Sequence, residues 1–334
     1  SGVLSGSGTI SKTGNGTQTF SGGSANTFTG TTAVTGGTLI LNKTAGVDAI
    51  AGNITLGDGV GGDVLQLAAD NQIANTSIMS MVGTAAGARG WFQLNGKNET
   101  IGGLSSATAG AGLVANESNA SNSILTLDVT GSQAFSGLIR NGNGTTGTLA
   151  LVKNGAGTQT ISGTNTYTGT TTVNGGTLVI AGNQTGGGQI VLYNAGSVLQ
   201  FGDGTSTNGS AVNVGTVYVN STGKVNLFKT DGGSFANQVA SSPGASITLS
   251  GTNATGTANT FSGTIWSNGG TLNTLSTNAG AVLAFSNASA IDIKGTTLNI
   301  DGAGDTLITG AIYNSTGTGI VAKNGTGTLI YQFA

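Results

Sequence analysis

The chain of 334 residues contains no cysteine, no histidine and only one proline, Pro243. Metal sites built from Cys or His ligands are therefore excluded, as are nucleophilic mechanisms that need either side chain. The absence of cysteine is also consistent with a protein that is exported unfolded and folds outside the cell.

Charge is scarce as well, since charged residues make up 7% of the chain, about a quarter of the usual share. Lys and Arg number 10 and Asp and Glu number 12, which gives a net charge of −2 and no basic patch. Nucleic acid is therefore not an expected partner. No apolar run reaches the length of about 18 residues that a membrane-spanning helix needs, so the sequence predicts no transmembrane helix.

Glycine, with 62 residues, stands out among the residues that are present, together with Thr, Val, Ile and Asn. Helix formers are rare, and Glu occurs only at Glu99 and Glu117. Short segments of β-branched residues are separated by Gly, Asn or Asp throughout the chain. This composition favours short strands that are joined by tight turns, and hence an all-β fold.

Internal repeats are the strongest signal. Three segments share one pattern: NTFTGTTAVTGGTLIL from Asn26, NTYTGTTTVNGGTLVI from Asn165 and NTFSGTIWSNGGTLNT from Asn259. In each of them an alternating segment is followed by a Gly-Gly turn, where a positive φ is needed, and then by the start of a new strand. The repeats predict a strand–turn–strand unit.

A second repeated element is KTGNGTQTF from Lys12, KNGAGTQTI from Lys153 and KNGTGTLIY from Lys323. The Walker pattern of a phosphate-binding loop is absent from it, and no helix is predicted after it. We interpret the recurring lysine as a residue at a strand edge that discourages stray pairing with other chains.

Two all-β architectures compete for such a sequence: a sandwich or barrel, and a β-helix. Imperfect sequence repeats in a chain of otherwise uniform composition favour stacked turns that contact only their neighbours. We therefore predict one β-solenoid domain over residues 1–334. With about 20 residues in a turn, the chain makes roughly 16 turns. Repeat units are expected near 1–42, 136–181 and 257–272, with a truncated unit at 309–334.

The segments GTQTFSGGSANTFTGTTAVTGGTLIL and GTQTISGTNTYTGTTTVNGGTLVI resemble the autotransporter-associated β-strand repeat, which is also called the passenger-associated transport repeat. The resemblance extends over about residues 1–200 and, in part, over 255–334. It implies a right-handed parallel β-helix that is secreted to or displayed on the surface of a bacterial cell. It does not imply any one biochemical activity.

Carboxylates are the remaining candidates for chemistry, at Asp58 with Asp63, at Asp301 with Asp305, and at Asp203. Each group adjoins glycine, and Asp before Gly commonly closes a turn by bonding to its own backbone. A calcium site and a catalytic pair are the alternatives. We prefer the turn interpretation and expect no enzymatic activity, no metal and no cofactor.

Two kinds of feature allow a functional interpretation beside a purely structural or compositional one. Trp91 and Trp266 could stack on sugar rings, although a packing role is the preferred interpretation. A composition rich in Asn, Ser and Thr accounts for most Asn-x-Ser/Thr sequons, and a glycan coat is the alternative. The candidate glycosylation sites are Asn116, Asn119, Asn220, Asn253 and Asn314.

The two ends of the sequence carry the same phase of the repeat, and the unit that starts at Lys323 lacks its continuation. Because an open solenoid end carries unpaired backbone groups, we expect copies to stack head to tail into a filament. The residues expected at this contact are Leu329, Ile330, Tyr331, Phe333, Val3 and Leu4.

The sequence therefore predicts an extracellular or cell-surface, non-enzymatic structural protein whose partner is a second copy of itself. The alternative is a monomeric surface adhesin, which would contact glycans or the surface of a host or neighbouring cell.

Overall fold

The computed structural model describes residues 2–84, 88–107, 110–144, 146–205, 215–229, 234–252, 258–286 and 291–332. Within these residues the chain forms strands and no helix, so none of them forms a helix that could cross a membrane. The chain divides into two units, Ser1–Thr170 and Thr171–Ala334.

The strands of the first unit are β1 (Ile10–Lys12), β2 (Thr17–Gly22), β3 (Thr32–Val34), β4 (Gly37–Lys43), β5 (Ile54–Leu56), β6 (Gly62–Leu67), β7 (Ile78–Met81), β8 (Arg89–Gln93), β9 (Glu99–Ile101), β10 (Gly103–Ser106), β11 (Leu113–Asn116), β12 (Ser123–Asp128), β13 (Ser132–Phe135), β14 (Leu138–Asn141), β15 (Leu149–Asn154) and β16 (Thr158–Ile161).

The strands of the second unit are β17 (Thr171–Val173), β18 (Thr177–Ile180), β19 (Ile190–Leu192), β20 (Ser197–Phe201), β21 (Val217–Val219), β22 (Gly223–Leu227), β23 (Ser234–Phe235), β24 (Val239–Ser241), β25 (Ile247–Gly251), β26 (Ala258–Phe261), β27 (Ile265–Trp266), β28 (Leu272–Ser276), β29 (Val282–Phe285), β30 (Ile291–Asp292), β31 (Thr297–Gly302), β32 (Asp305–Ile308), β33 (Ile312–Tyr313), β34 (Ile320–Lys323) and β35 (Leu329–Tyr331).

Strand pairing is parallel within each unit and joins each strand to its equivalent in a neighbouring turn. In the first unit the orders are β1-β3-β5-β7-β10, β2-β4-β6-β8-β11-β14, β9-β12-β15 and β13-β16. In the second unit they are β17-β19-β21-β24-β27-β30-β33, β18-β20-β22-β25-β28-β31-β34 and β23-β26-β29-β32-β35. This order defines a parallel β-solenoid and confirms the predicted fold class, since a sandwich would pair neighbouring strands in antiparallel fashion.

The turns of the solenoid are generally longer than the predicted length of about 20 residues. Ile10 pairs with Thr32, 22 residues further on, and Ile190 pairs with Val217, 27 residues further on. The two units together make about 12 turns, so the prediction of roughly 16 turns was wrong. The difference lies in the connections between strands, which carry few repeated residues.

The core is a column of side chains that stack from one turn to the next. In the first unit Leu39 and Leu41 of β4 are fully buried. In the second unit Phe235, Phe261 and Phe285 occupy paired positions on successive strands. Their ring centroids are 5.9 Å apart for the first pair, in an edge-on arrangement, and 5.6 Å apart for the second pair, which is stacked. We call these three residues the phenylalanine column. A small number of large side chains thus fills this part of the interior.

We expect Phe261→Ala to lower the free energy of unfolding of the second unit by about 3–5 kcal/mol, because it opens a cavity between two aromatic rings. Thr260→Ala, on the same strand and pointing outwards, is the matched control and should cost far less. Urea unfolding that is monitored by circular dichroism measures both changes, and similar losses in the two variants would contradict the column.

Candidate functional site

The last described turn of the second unit, β33–β35, is the strongest candidate for a contact site, and we call it the end turn. The phenylalanine column continues into it, because Phe285 pairs with Ile308 and Ile308 pairs with Tyr331. Ile308 is fully buried, whereas 36% of Tyr331 is exposed. The same inward-facing position is therefore covered one turn earlier and open at the end turn.

Strand β34 shows the same change in burial. Val321 pairs with Leu298, which is fully buried, yet 46% of Val321 is exposed. The open core positions border a cavity of about 460 Å³. Its lining is mostly apolar and consists of Ile293, Ile308, Ile312, Tyr313, Asn314, Val321, Leu329 and Tyr331. The end turn thus presents a cross-section of the solenoid core to solvent.

The self-association residues that the sequence predicted near this end lie on β35. Leu329 is half-buried, and Ile330 is 38% exposed. The Tyr331 hydroxyl accepts a hydrogen bond of 3.4 Å from the backbone N–H of Ile312, which holds the ring at the cavity. Phe333 lies outside the described residues. The role of this set in self-association remains a prediction.

Val3 and Leu4, the other predicted contact residues, lie in the first unit and are 49% and 41% exposed. Leu4 is held by the neighbouring turn, because its N–H donates to Oδ1 of Asn26 at 3.0 Å and its carbonyl accepts from Thr27. Leu4 also borders a cavity of about 240 Å³, together with Phe20. This region of the first unit therefore also exposes apolar groups next to backbone that is already in strand-like pairing.

Lys12 and Lys323 lie on β1 and β34, which are the outermost described strands of their sheets, but the interpretation of the recurring lysine as strand-edge protection was wrong for Lys153. Its side chain is fully buried on β15, which pairs with β12. The ammonium group donates to the carbonyls of Asn154 and Gly155 at 2.5 and 3.0 Å. Burial lowers the pKa of Lys153. The lysine satisfies carbonyls of the turn that follows its strand, and an unmet buried carbonyl is costly.

Lys12 and Lys323 make the same kind of contact in the other two copies. The Lys12 ammonium donates to the carbonyl of Gly14 at 2.8 Å and to that of Gly36, one turn on, at 2.6 Å. Lys323 donates to the carbonyl of Gly325. The Lys-x-Gly element is therefore a lysine-capped turn in all three places.

Glycine is required in this turn because the turn rests on the backbone of the turn before it. Gly155 has a φ of +72°. A Cβ atom on Gly157 would collide with the carbonyl oxygen of Gly131. A side chain at either position would therefore strain the turn or separate the two layers of chain.

We expect Lys153→Met to destabilise the protein by about 1–3 kcal/mol, because the methionine leaves two turn carbonyls without their ammonium partner. Lys12→Met is the matched control, since the Lys12 ammonium is partly exposed and water can replace it. Thermal unfolding measured by circular dichroism compares the two variants. Equal losses would show that burial of the lysine adds nothing to its role.

The carboxylates mostly behave as turn residues. Oδ1 of Asp58 accepts from the N–H of Val60 at 2.7 Å, and Oδ1 of Asp203 accepts from the N–H of Thr205 at 2.9 Å. These contacts confirm the turn interpretation for both residues. Burial and the nearby Asp58 raise the pKa of Asp63. In the part of the chain that the structure describes, no three His, Cys, Asp or Glu side chains are grouped to hold a metal ion.

Among the described residues, Glu99 is the acid whose pKa is most strongly shifted, and nothing around it in the sequence singles it out beyond the rarity of Glu. Only 1% of the residue is exposed. Its carboxylate accepts from the backbone N–H groups of Gln72 at 2.8 Å and Thr100 at 3.1 Å. Burial raises the pKa of Glu99 to about 8 although these hydrogen bonds oppose the rise. Glu99 therefore serves as a buried acceptor of hydrogen bonds from backbone N–H groups.

Glu99 predicts a pH dependence of stability. Its ordinary pKa is 4.5 and its folded-state pKa is about 8, so the folded state keeps a proton that the unfolded state releases in this window. The contribution of protonated Glu99 to the free energy of unfolding should therefore be fully present below pH 4.5. It should be lost as the pH rises to about 8, by up to about 1.4 kcal/mol per pH unit.

Thermal unfolding across this pH range tests the effect in the wild type and in Glu99→Gln, which mimics the protonated acid. The variant should lose less stability than the wild type as the pH rises. Glu117→Gln is the control, because Glu117 is the other glutamate and pairs with Arg140 at 2.8 Å near the surface. A wild-type pH dependence that survives in Glu99→Gln would contradict the assignment.

The candidate glycosylation sites differ in access. Asn116 is fully buried, and its Nδ2 donates to the carbonyls of Ser121 and Thr148 at 2.8 and 2.9 Å. The nitrogen that would carry a glycan is therefore enclosed and occupied in the folded chain, which favours composition over glycosylation as the reason for this sequon. Asn119 is exposed and Asn220 is half-buried.

Asn314 is exposed, but its Nδ2 donates to the carbonyl of Gly317 at 2.6 Å. Asn253 lies outside the described residues. Glycosylation at Asn119, Asn220 and Asn314 therefore stays a prediction.

Comparison with known proteins bears on the repeats. Residues 10–41 and 151–180 match the family model of the Passenger-associated-transport-repeat, PATR. The chain carries PATR repeats. This match confirms the resemblance inferred from the sequence, and both matched segments include a lysine-capped turn. PATR repeats are associated with autotransporter passengers. No curated protein sequence and no solved structure matches the chain.

Proposed function

We propose that this protein is a non-enzymatic structural solenoid of the cell surface or the secreted space, and that copies stack through the end turn into a filament. The observation that carries the proposal is the open core cross-section at β33–β35. The PATR repeats support the location, because they are associated with autotransporter passengers.

The end turn has the two features that a stacking contact needs. Strands β34 and β35 are paired with β31 and β32, and no described strand pairs with their other edge. Their backbone groups can therefore accept a further parallel strand. Apolar side chains such as Val321 and Tyr331 lie beside that edge, so the same contact would also bury hydrophobic surface.

A second copy fits this edge because the repeat supplies strands of the same kind. KTGNGTQTF from Lys12 and KNGTGTLIY from Lys323 align without a gap, and each contains a lysine-capped turn. A head-to-tail contact of this type does not close on itself, and it therefore generates a filament. A continuation of the same chain would also fit this edge, and the experiment distinguishes that arrangement from a contact with a second copy.

The experiment compares two substitutions on the same strand. Val321 points into the open core, whereas Ile320 points outwards and is 56% exposed. Val321→Asp should abolish filaments in negative-stain electron micrographs and leave a monomer in analytical ultracentrifugation, because it buries a charge at the contact. Ile320→Asp should polymerise as the wild type does.

A wild type that stays monomeric at all accessible concentrations would overturn the stacking proposal and favour a monomeric adhesin or a longer solenoid. Filaments that persist in Val321→Asp would place the contact elsewhere. Circular dichroism of both variants verifies that the fold is intact.

The adhesin alternative has one observation in its favour, namely that 41% of the Trp266 side chain is exposed on a rigid sheet. This exposure differs from the packing role that the sequence favoured for Trp266.

A further inference from the structure

A row of aromatic side chains runs across one sheet of the second unit. The second residues of β21, β24, β27, β30 and β33 are in register and point away from the core. In order, these outward positions hold Tyr218, Ala240, Trp266, Asp292 and Tyr313. An aromatic ring thus occurs on every second strand, and we call Tyr218, Trp266 and Tyr313 the aromatic row.

The spacing of the aromatic row is fixed by the backbone. Neighbouring strands lie about 4.8 Å apart, so rings on alternate strands start about 9.6 Å apart. The inward-facing neighbours Val217 and Ile265 are 0% and 2% exposed and anchor two of the strands in the core. The rings therefore project from a rigid surface, which reduces the entropy lost when a ligand binds.

Exposure separates this row from the aromatic residues of the core. Trp266 and Tyr313 are 41% and 42% exposed, and Tyr218 is half-buried. By contrast, Phe235 and Phe261 are 3% and 1% exposed. The aromatic row does not contribute to the packed interior, so packing does not account for it.

A groove lies between the first two rings of the row. Ala240 stands between Tyr218 and Trp266, and its small side chain leaves a space of about 330 Å³. This volume is at the lower end of the range of small-molecule sites, about 300–1,000 Å³. The remaining lining is polar: Gln189, Thr216, Gln238, Ser241, Asn268 and Lys294.

The groove offers many hydrogen-bonding groups and little charge. Lys294 is the charged residue of its lining, and its ammonium lies 5.7 Å from the centre of the Trp266 ring. Asp292 follows Trp266 in the row but is 3% exposed. Its carboxylate is engaged by the N–H and hydroxyl of Ser315, at 3.1 and 2.7 Å. The site therefore suits an uncharged ligand with many hydroxyl groups.

We propose that the aromatic row and its groove bind an extended, uncharged β-1,4-linked polysaccharide that lies across the strands. The C–H groups on the face of a sugar ring pack against aromatic rings, and amide side chains pair with sugar hydroxyls. In an extended β-1,4 chain successive sugars are inverted, so the same ring face returns at every second sugar. Aromatic rings on alternate strands match this repeat.

The proposal does not depend on filament formation, because the groove lies on the side of the sheet and is complete within one chain. A filament would place such rows one after another and would increase avidity for a long polysaccharide. A monomer would bind through one row.

Binding is tested with soluble oligosaccharides. Cellohexaose and N-acetylchitohexaose are the β-1,4-linked probes, and maltohexaose, whose α-linked chain curves, is the comparison. Tryptophan fluorescence in a Trp91→Phe background reports on Trp266 alone, because the chain has 2 tryptophans. We expect at least one β-linked probe to shift the emission and bind about tenfold or more tightly than maltohexaose.

Substitutions locate the binding to the row. Trp266→Ala should weaken binding of the β-linked probe about tenfold or more, measured by isothermal titration calorimetry. Tyr193→Ala is the matched control, since Tyr193 is 56% exposed in the same unit but stands outside the aromatic row. Ala240→Leu fills the groove without removing a ring, and it should weaken binding as well.

The proposal is overturned if neither β-linked probe binds, if maltohexaose binds equally well, or if Trp266→Ala and Ala240→Leu both bind like the wild type. A marked loss of affinity at high salt would contradict an uncharged ligand. Circular dichroism verifies the wild-type fold in each variant, Ala240→Leu included, because Ala240 is only 7% exposed.

Discussion

Parallel pairing between successive turns is the constraint on which the rest of the structure depends. Because strands pair with their equivalents one turn away, each paired residue lies above a counterpart of the same orientation. Core residues therefore form columns such as Phe235, Phe261 and Phe285. The same rule explains the glycines, since the turn at Gly157 rests directly on the backbone of Gly131.

This layered arrangement makes burial depend on two neighbours, the turn before and the turn after. Val321 and Tyr331 take up core positions but have a neighbour on one side only among the described strands. Their exposure follows directly from that geometry. It also explains why polar core groups matter: Lys153 adds hydrogen bonds to the carbonyls of its turn, and Glu99 accepts from the backbone N–H of Gln72, because a buried, unpaired backbone group is costly.

Outward positions are stacked by the same rule, and here stacking has a functional consequence instead of a structural one. Tyr218, Trp266 and Tyr313 stand in register because their strands do. A regular spacing of rings on a rigid sheet is a natural counterpart to a polymer with a regular repeat. The two proposals therefore use different parts of the solenoid, its open end for self-association and its side for a glycan, and they share Tyr313.

The sequence by itself determined the repeat, the strand–turn pattern, the parallel solenoid and the turn roles of Asp58 and Asp203. These are local properties, or properties of segments that resemble one another. Only the tertiary structure decided which residues lie above each other, because turns of 22 and of 27 residues both occur and their connections do not repeat. That is why the enclosed Asn116, the buried Lys153 and Glu99, and the alignment of Trp266 with Tyr218 could not be read from the chain.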